Sequence, residues 1–166
     1  MITREQLINQ VEEEVRLVKH LATKVQTHHL QYRPAPKMRT VLETLQYLSV
    51  CGIAGLKAGL SSNPELIAAY SEQAKQVTLE SFPAAIDRSL NELKEIVAAH
   101  TDEELLKKQV KLPWGITHTL AYTIINTTVR FLTAYRMQLF LYLKSAGVSE
   151  LNTMNCWGGR DSMPPT

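Results

Sequence analysis

Apolar residues recur along this chain at steps of three and four, the period of an amphipathic helix rather than of a strand. Leu7, Val11, Val15, Val18, Ala22 and Val25 make one face of a first helix over residues 4–28. Thr3, followed by Gln6, has the form of a capping box at its start. Pro34 and Pro36 then exclude helix, because proline has no N–H to donate and restricts the residue before it. A second helix is expected over residues 40–60, capped by Thr40 and Glu43 and buried along Val41, Leu45, Leu48, Gly52 and Leu56. Gly52, Gly55 and Gly59 lower its intrinsic stability by about 1 kcal/mol each relative to alanine. They also let another helix approach closely.

Asn63 and Pro64 mark a turn and the entry to a short helix over residues 65–73. Pro83 forbids an unbroken helix through the next stretch, so a third long helix begins near residue 81 and runs to 99. Its inner stripe is Ile86, Leu90, Leu93 and Val97. Thr101 and Glu104 cap a further turn over residues 102–107, and residues 109–115 read as a connection. The fourth long helix spans residues 117–145, with Gly147 as its stop. Beyond residue 148, Asn152, Asn155, Gly158, Gly159, Pro164 and Pro165 predict an irregular tail, with Trp157 as a pin against one end of the bundle. No segment has the strong period of two that marks a strand. The expected fold is therefore all-α: a four-helix bundle over residues 1–147, a short extra helix between its second and third members, and a tail over 148–166. The link of roughly 20 residues between helices two and three leaves room for a crossover.

Composition narrows the function classes. The chain has 166 residues, 45% of them hydrophobic, which suits one domain with its own core and excludes disorder. Residues 1–60 carry a net +3, residues 61–110 a net −4 and residues 111–166 a net +3. No basic run emerges, so nucleic acid is not the expected partner. In residues 119–143 Arg130 and Arg136, with Asn126, Thr127, Thr128, Thr133 and Gln138, interrupt the apolar run. That segment reads as the innermost helix of a core, not a membrane span. Glu5, Glu12, Glu13 and Glu14 leave no apolar run for a leader, and two cysteines are too few for a disulfide framework. A cytoplasmic protein is expected, with Cys51 buried and Cys156 in a tail open to solvent.

The common site chemistries are missing. None of His20, His28, His29, His100 and His118 follows a Glu three residues earlier, and no two are four apart. The di-iron pattern and the one-face zinc chelate are thereby absent. The histidines read as surface or helix-end residues, with His100 and His118 the best alternatives because they flank the connection before the last helix. There is no Gly-rich phosphate loop, no Cys-x-x-Cys and no Gly-x-Ser-x-Gly elbow.

Two segments resemble a known family. Arg33-Pro34-Ala35-Pro36-Lys37-Met38-Arg39-Thr40-Val41-Leu42-Glu43-Thr44-Leu45-Gln46-Tyr47-Leu48 resembles the entry to the second helix of DinB-like proteins. Phe131-Leu132-Thr133-Ala134-Tyr135-Arg136-Met137-Gln138-Leu139-Phe140-Leu141-Tyr142-Leu143 is similar to their last helix. The resemblance implies a four-helix bundle and, in metal-bearing members, three histidine ligands. The matching positions here are Tyr47, Phe131 and Tyr135. A phenyl ring has no donor atom, and a neutral phenol, with an ordinary pKa near 10, is a poor ligand. No metal and no cofactor are therefore expected.

If the helices dock as in that family, these residues face one another. Phe131 and Tyr135 are four apart on one helical face, with Thr127, Thr128 and Gln138 on or beside it; Glu43 and Tyr47 are related in the same way. Aromatic rings that fill the vacated space are one reading. The other is a pocket of Glu43, Tyr47, Thr128, Phe131, Tyr135 and Gln138, in which the phenols orient a ligand and Glu43 acts as acid or base. The function expected is a homodimeric binding or interaction module for a small molecule. The alternative is a thiol-dependent transferase or isomerase that uses Tyr47 or Tyr135 in place of metal. A structural subunit with its last helix as the partner surface is a third.

Overall fold

Thr3, Thr40 and Thr101 open helices by the same device. The computed structural model, which describes residues 3–162, shows all three boxes closed. The Thr40 hydroxyl accepts from the Glu43 N–H at 3.0 Å while the Glu43 carboxylate accepts from the Thr40 N–H at 2.7 Å. The helices so begun are α1 (Arg4–Ala22), α2 (Val41–Leu48) and, after the others, α6 (Asp102–Lys107). Between them come α3 (Ala54–Ser61), α4 (Glu65–Ala74) and α5 (Phe82–Ala98). A last rod follows: α7 (Leu120–Ile124), one turn of π-helix (Ile125–Val129) and α8 (Arg130–Ser145).

The bundle is a ring of four. α1 packs on α5 and α8, and α2 packs on the same two. Val11, Val18 and Leu21 from α1, Leu45 and Leu48 from α2, Ile86 and Leu93 from α5, and Leu139 and Leu143 from α8 are all buried where the four meet. Each such side chain contributes about 1.5–3 kcal/mol by leaving water. α4, at Glu65–Ala74, is the short extra helix between the second and third rods.

Several local expectations are corrected. The first helix stops at Ala22, not at residue 28. The Thr23 hydroxyl folds back onto the His20 carbonyl at 2.7 Å, and the chain re-enters through a 3₁₀ turn, Thr27–His29. His29, expected at the surface or a helix end, is buried in that turn, its Nδ1 accepting from the Gln26 N–H at 3.1 Å. The second helix is broken over residues 49–53 into α2 and α3. The carbonyls freed there have partners: Ser89 Oγ donates to Ser49 O at 2.5 Å, and Thr128 Oγ1 donates to Gly52 O. Only a glycine admits Thr128 so near, since a Cβ at Gly52 would lie 3.0 Å from Thr128 Cγ2.

The connection over 109–115 contains β1 (Gln109–Lys111), which pairs antiparallel with β2 (Thr117–Thr119), with Val110 opposite His118. This hairpin takes the residues expected to begin the last helix. Its inward residue, Val110, is buried, and Gly59 of α3 receives it at a distance a Cβ would reduce to 2.8 Å. Finally, the stretch after Val148, described as far as residue 162, is seated on α1, while Pro164 and Pro165 lie outside the described residues. It forms one turn of π-helix, Met154–Gly158, and buries Leu151, Asn155 and Cys156. Cys156, expected in contact with water, is 1% exposed.

Candidate functional site

The six candidate residues divide into three groups. Tyr47 and Tyr135 meet, as their positions on α2 and α8 require: the ring centroids are 4.5 Å apart with planes tilted by 59°. The Arg39 guanidinium covers both, 4.1 Å from the Tyr47 centroid and 5.4 Å from that of Tyr135. Such contacts are worth about 0.5–1 kcal/mol at an exposed site. Burial pushes the Tyr47 phenol above its usual pKa, with the neighbouring Cys51 and Tyr135 adding to the shift. The Cys51 thiol is itself pushed up to about 12 by burial. Both groups therefore keep their protons at neutral pH.

Glu43, Thr128 and Gln138 are engaged elsewhere. The Glu43 carboxylate is held by the cap at Thr40, whose N–H lowers its pKa, and it lies 3.8 Å from Arg33. Thr128 serves the Gly52 carbonyl. Gln138 Nε2 donates to the Tyr142 hydroxyl at 2.6 Å. The Phe131 ring centroid lies 6.3 Å from that of Trp114, the two planes within 29° of parallel.

The residues at the three ligand positions do not fit a divalent metal. Two are phenols, one is a hydrocarbon ring, and a guanidinium stacks over the two phenols. No group of three His, Cys, Asp or Glu able to hold a metal occurs among the described residues. His100 is committed, with Nδ1 2.7 Å from Ile96 O and Nε2 2.8 Å from the Lys108 ammonium.

Space for a ligand opens beside Phe131, one turn from the phenols. A cavity of about 220 Å³ lies between the hairpin and the last rod. Leu112, Trp114, Ile116 and His118 form its hairpin side; Asn126, Thr127, Arg130 and Phe131 form the other. The π-turn supplies Asn126 and Thr127, and such turns recur at functional sites. Trp114 is 45% exposed, yet it rests on bare backbone, because a Cβ at Gly55 would lie 2.8 Å from its Cη2. A second cleft, of about 190 Å³, lies at the start of α1 near Leu105. Its cation, Arg4, is already spent on the His100 carbonyl and on Asp102. The hairpin side was missed in the sequence because Trp114 and Ile116 flank a glycine in what reads as a loop. The signal available was two large apolar residues with no helical face to bury them.

The four-rod bundle has counterparts among solved structures: it is the DinB-like bundle. A protein from Exiguobacterium sibiricum 255-15, assigned provisionally to the DinB family, superposes with a TM-score of 0.70 at 21% identity, covering 91% of this chain and 96% of that one. An uncharacterized protein from Clostridium difficile 630 gives 0.63 at 15% identity, over 87% and 97%. No protein-family model and no curated protein matches the chain. At these identities the likeness establishes the fold: this is a DinB-like bundle. No helix among the described residues is long and apolar enough to cross a membrane.

Proposed function

We propose that this protein is a small-molecule-binding module on the DinB-like fold, working without a metal ion at Tyr47, Phe131 and Tyr135. The observation that carries the reading is the hairpin cavity. It is walled by Phe131, one of the three ligand-equivalent residues, and by a tryptophan that rests on Gly55 while still half in water. The phenol pair, Tyr47 and Tyr135, packs one helical turn along α8 from Phe131. A phenol held above its ordinary pKa does not activate a thiol as a base, which favours binding over the thiol-transfer alternative.

A reducing, cytoplasmic setting agrees with two free and buried thiols. A homodimer is supported by the outer face of α8, where Ala134, Met137 and Leu141 follow at steps of three and four, the first and last exposed. Elemental analysis of the purified protein tests the metal-free reading: stoichiometric zinc or nickel overturns it. A fragment screen by nuclear magnetic resonance tests the cavity, with hits expected to move the Trp114 indole signal. Turnover of thiols with electrophiles that is lost in Tyr47→Phe or Tyr135→Phe would install the enzyme instead. Sedimentation at micromolar concentration should show a dimer, and a clean monomer removes that part.

A further inference from the structure

No carboxylate lines the hairpin cavity. No Asp or Glu occurs between Glu104 and Glu150, so the hairpin and the whole last rod carry positive charge alone. Lys111 stands on the hairpin and Arg130 on the cavity wall. Arg136, on the same helix, is paired with Glu14. Arg130 has no ion pair or side-chain hydrogen bond among the described residues. Its guanidinium is a planar fork whose geometry suits a carboxylate bidentately. Beside it, Trp114 and Phe131 offer nearly parallel rings as an apolar wall. Their centroid separation of 6.3 Å leaves no room for a ring between them, so a ligand lies against the wall. Asn126 is tied only by a 3.4 Å contact to the Tyr122 carbonyl, which leaves its amide free to turn to a ligand oxygen. At about 220 Å³ the space falls below the roughly 300–1,000 Å³ of larger ligand sites, which sets the scale at a single ring.

We propose that the cavity takes a small planar carboxylate, one aromatic or heteroaromatic ring bearing one anionic group, with the ring against Trp114 and Phe131 and the carboxylate on Arg130. The proposal rests on the binding reading above and adds the ligand's charge and shape. Arg130 is exposed, so its replacement leaves the fold intact.

The test uses three probes at millimolar concentration: benzoate, its neutral isostere benzamide, and acetate, which has the charge without the ring. The readout is the Trp114 indole signal, identified by its loss in Trp114→Phe. Benzoate is expected to titrate that signal, with benzamide and acetate each about tenfold weaker or more. Arg130→Gln should bring benzoate down to the level of benzamide, while Arg130→Lys retains part of the difference. Thermal unfolding of both variants confirms that each is folded. Benzamide that binds as well as benzoate, or benzoate that ignores Arg130→Gln, overturns the anion assignment and leaves the cavity reading standing. Acetate that matches benzoate overturns the role of the ring. If no probe moves the Trp114 signal, the anion assignment and the cavity reading fall together.

Discussion

Arg130 and Arg136 stand six residues apart on α8, and their settings are opposite. Arg136 is 1% exposed, lying between α1, α8 and the C-terminal turn. Its Nε donates to Glu14 at 3.1 Å, its Nη2 to the other oxygen of that carboxylate at 3.4 Å, and its Nη1 to the Cys156 carbonyl. Trp157 caps the guanidinium face at 4.5 Å. Each of its three nitrogens has an oxygen partner. Arg130 borders a cavity and has neither ion pair nor carbonyl partner among the described residues. A satisfied buried charge closes a structure, because any newcomer must break a bond already made. An unsatisfied charge at a cavity wall is available. The same residue type on one helix thus serves cohesion at one level and recognition at the other.

The largest expected effect attacks the closed end. Glu14→Gln leaves the Arg136 guanidinium buried without its counter-charge, and the cost is about 3–5 kcal/mol. A urea unfolding midpoint measures it, with the slope unchanged if the native state stays compact. Arg136→Met combined with Glu14→Leu should cost much less than Glu14→Gln alone, since an apolar pair leaves no stranded charge. A double variant as unstable as the single one would mean that Arg136 acts chiefly by anchoring the Cys156 carbonyl.

The next effect asks whether the hairpin belongs to the core or merely rests on it. Gly59→Ala places a Cβ 2.8 Å from Val110 Cγ1 and 3.2 Å from the Lys111 carbonyl. Backbone cannot swing aside as a side chain can, so overpacking of about 1–3 kcal/mol should outweigh the gain of about 1 kcal/mol from helix propensity. A lowered Tm is expected; a raised one would show the hairpin to be loosely held.

Gly55→Ala gives the contrasting case. Its Cβ meets only the Trp114 ring, which is half in water and can turn away. Stability should change by less than about 1 kcal/mol, because propensity and displacement oppose one another. The Trp114 indole signal should shift, and benzoate binding should weaken with it. Unchanged binding would separate the cavity from the seat that Gly55 provides.

These contrasts also mark what the chain discloses in one dimension. The caps at Thr3, Thr40 and Thr101 and the inner stripe of α5 are local, and periodicity with three-residue spacing reveals them. The meeting of Tyr47 and Tyr135 was legible from resemblance and an i, i+4 relation. The break over 49–53 was not, because its cause is Thr128, 76 residues away, whose hydroxyl replaces a helical partner at Gly52. The hairpin was hidden for a similar reason. Each strand has three residues, too few for an alternation to register, and Val110 is buried by Gly59 rather than by a neighbour in sequence. The tail's polar composition read as irregular, yet Arg16 and Arg136 satisfy carbonyls at Gly158, Gly159 and Cys156 from the far side of the fold.

The smallest expected effect separates the two ends by pH. His29 is buried beside His28, and desolvation first, then the neighbouring imidazole, lower its pKa from the usual 6.5. His20, next to the C-terminal turn, is lowered chiefly by desolvation as well. A group whose pKa falls on folding stabilises the native state above its unfolded pKa and loses that contribution as pH falls through the folded value. Stability should therefore begin to decline as pH drops below about 6.5. The decline from the capping carboxylate of Glu43, also lowered on folding, starts separately, below its usual 4.5. Urea midpoints between pH 7.5 and 5 should show the first slope, flattened in His20→Gln/His29→Gln. Benzoate affinity, set by Arg130 at the cavity wall, should follow neither of these two histidines. A pH dependence of benzoate binding that disappears in His20→Gln/His29→Gln, rather than in a variant of His118 on the cavity wall, would place the ligand at the closed end of the helix and undo the division between the two arginines.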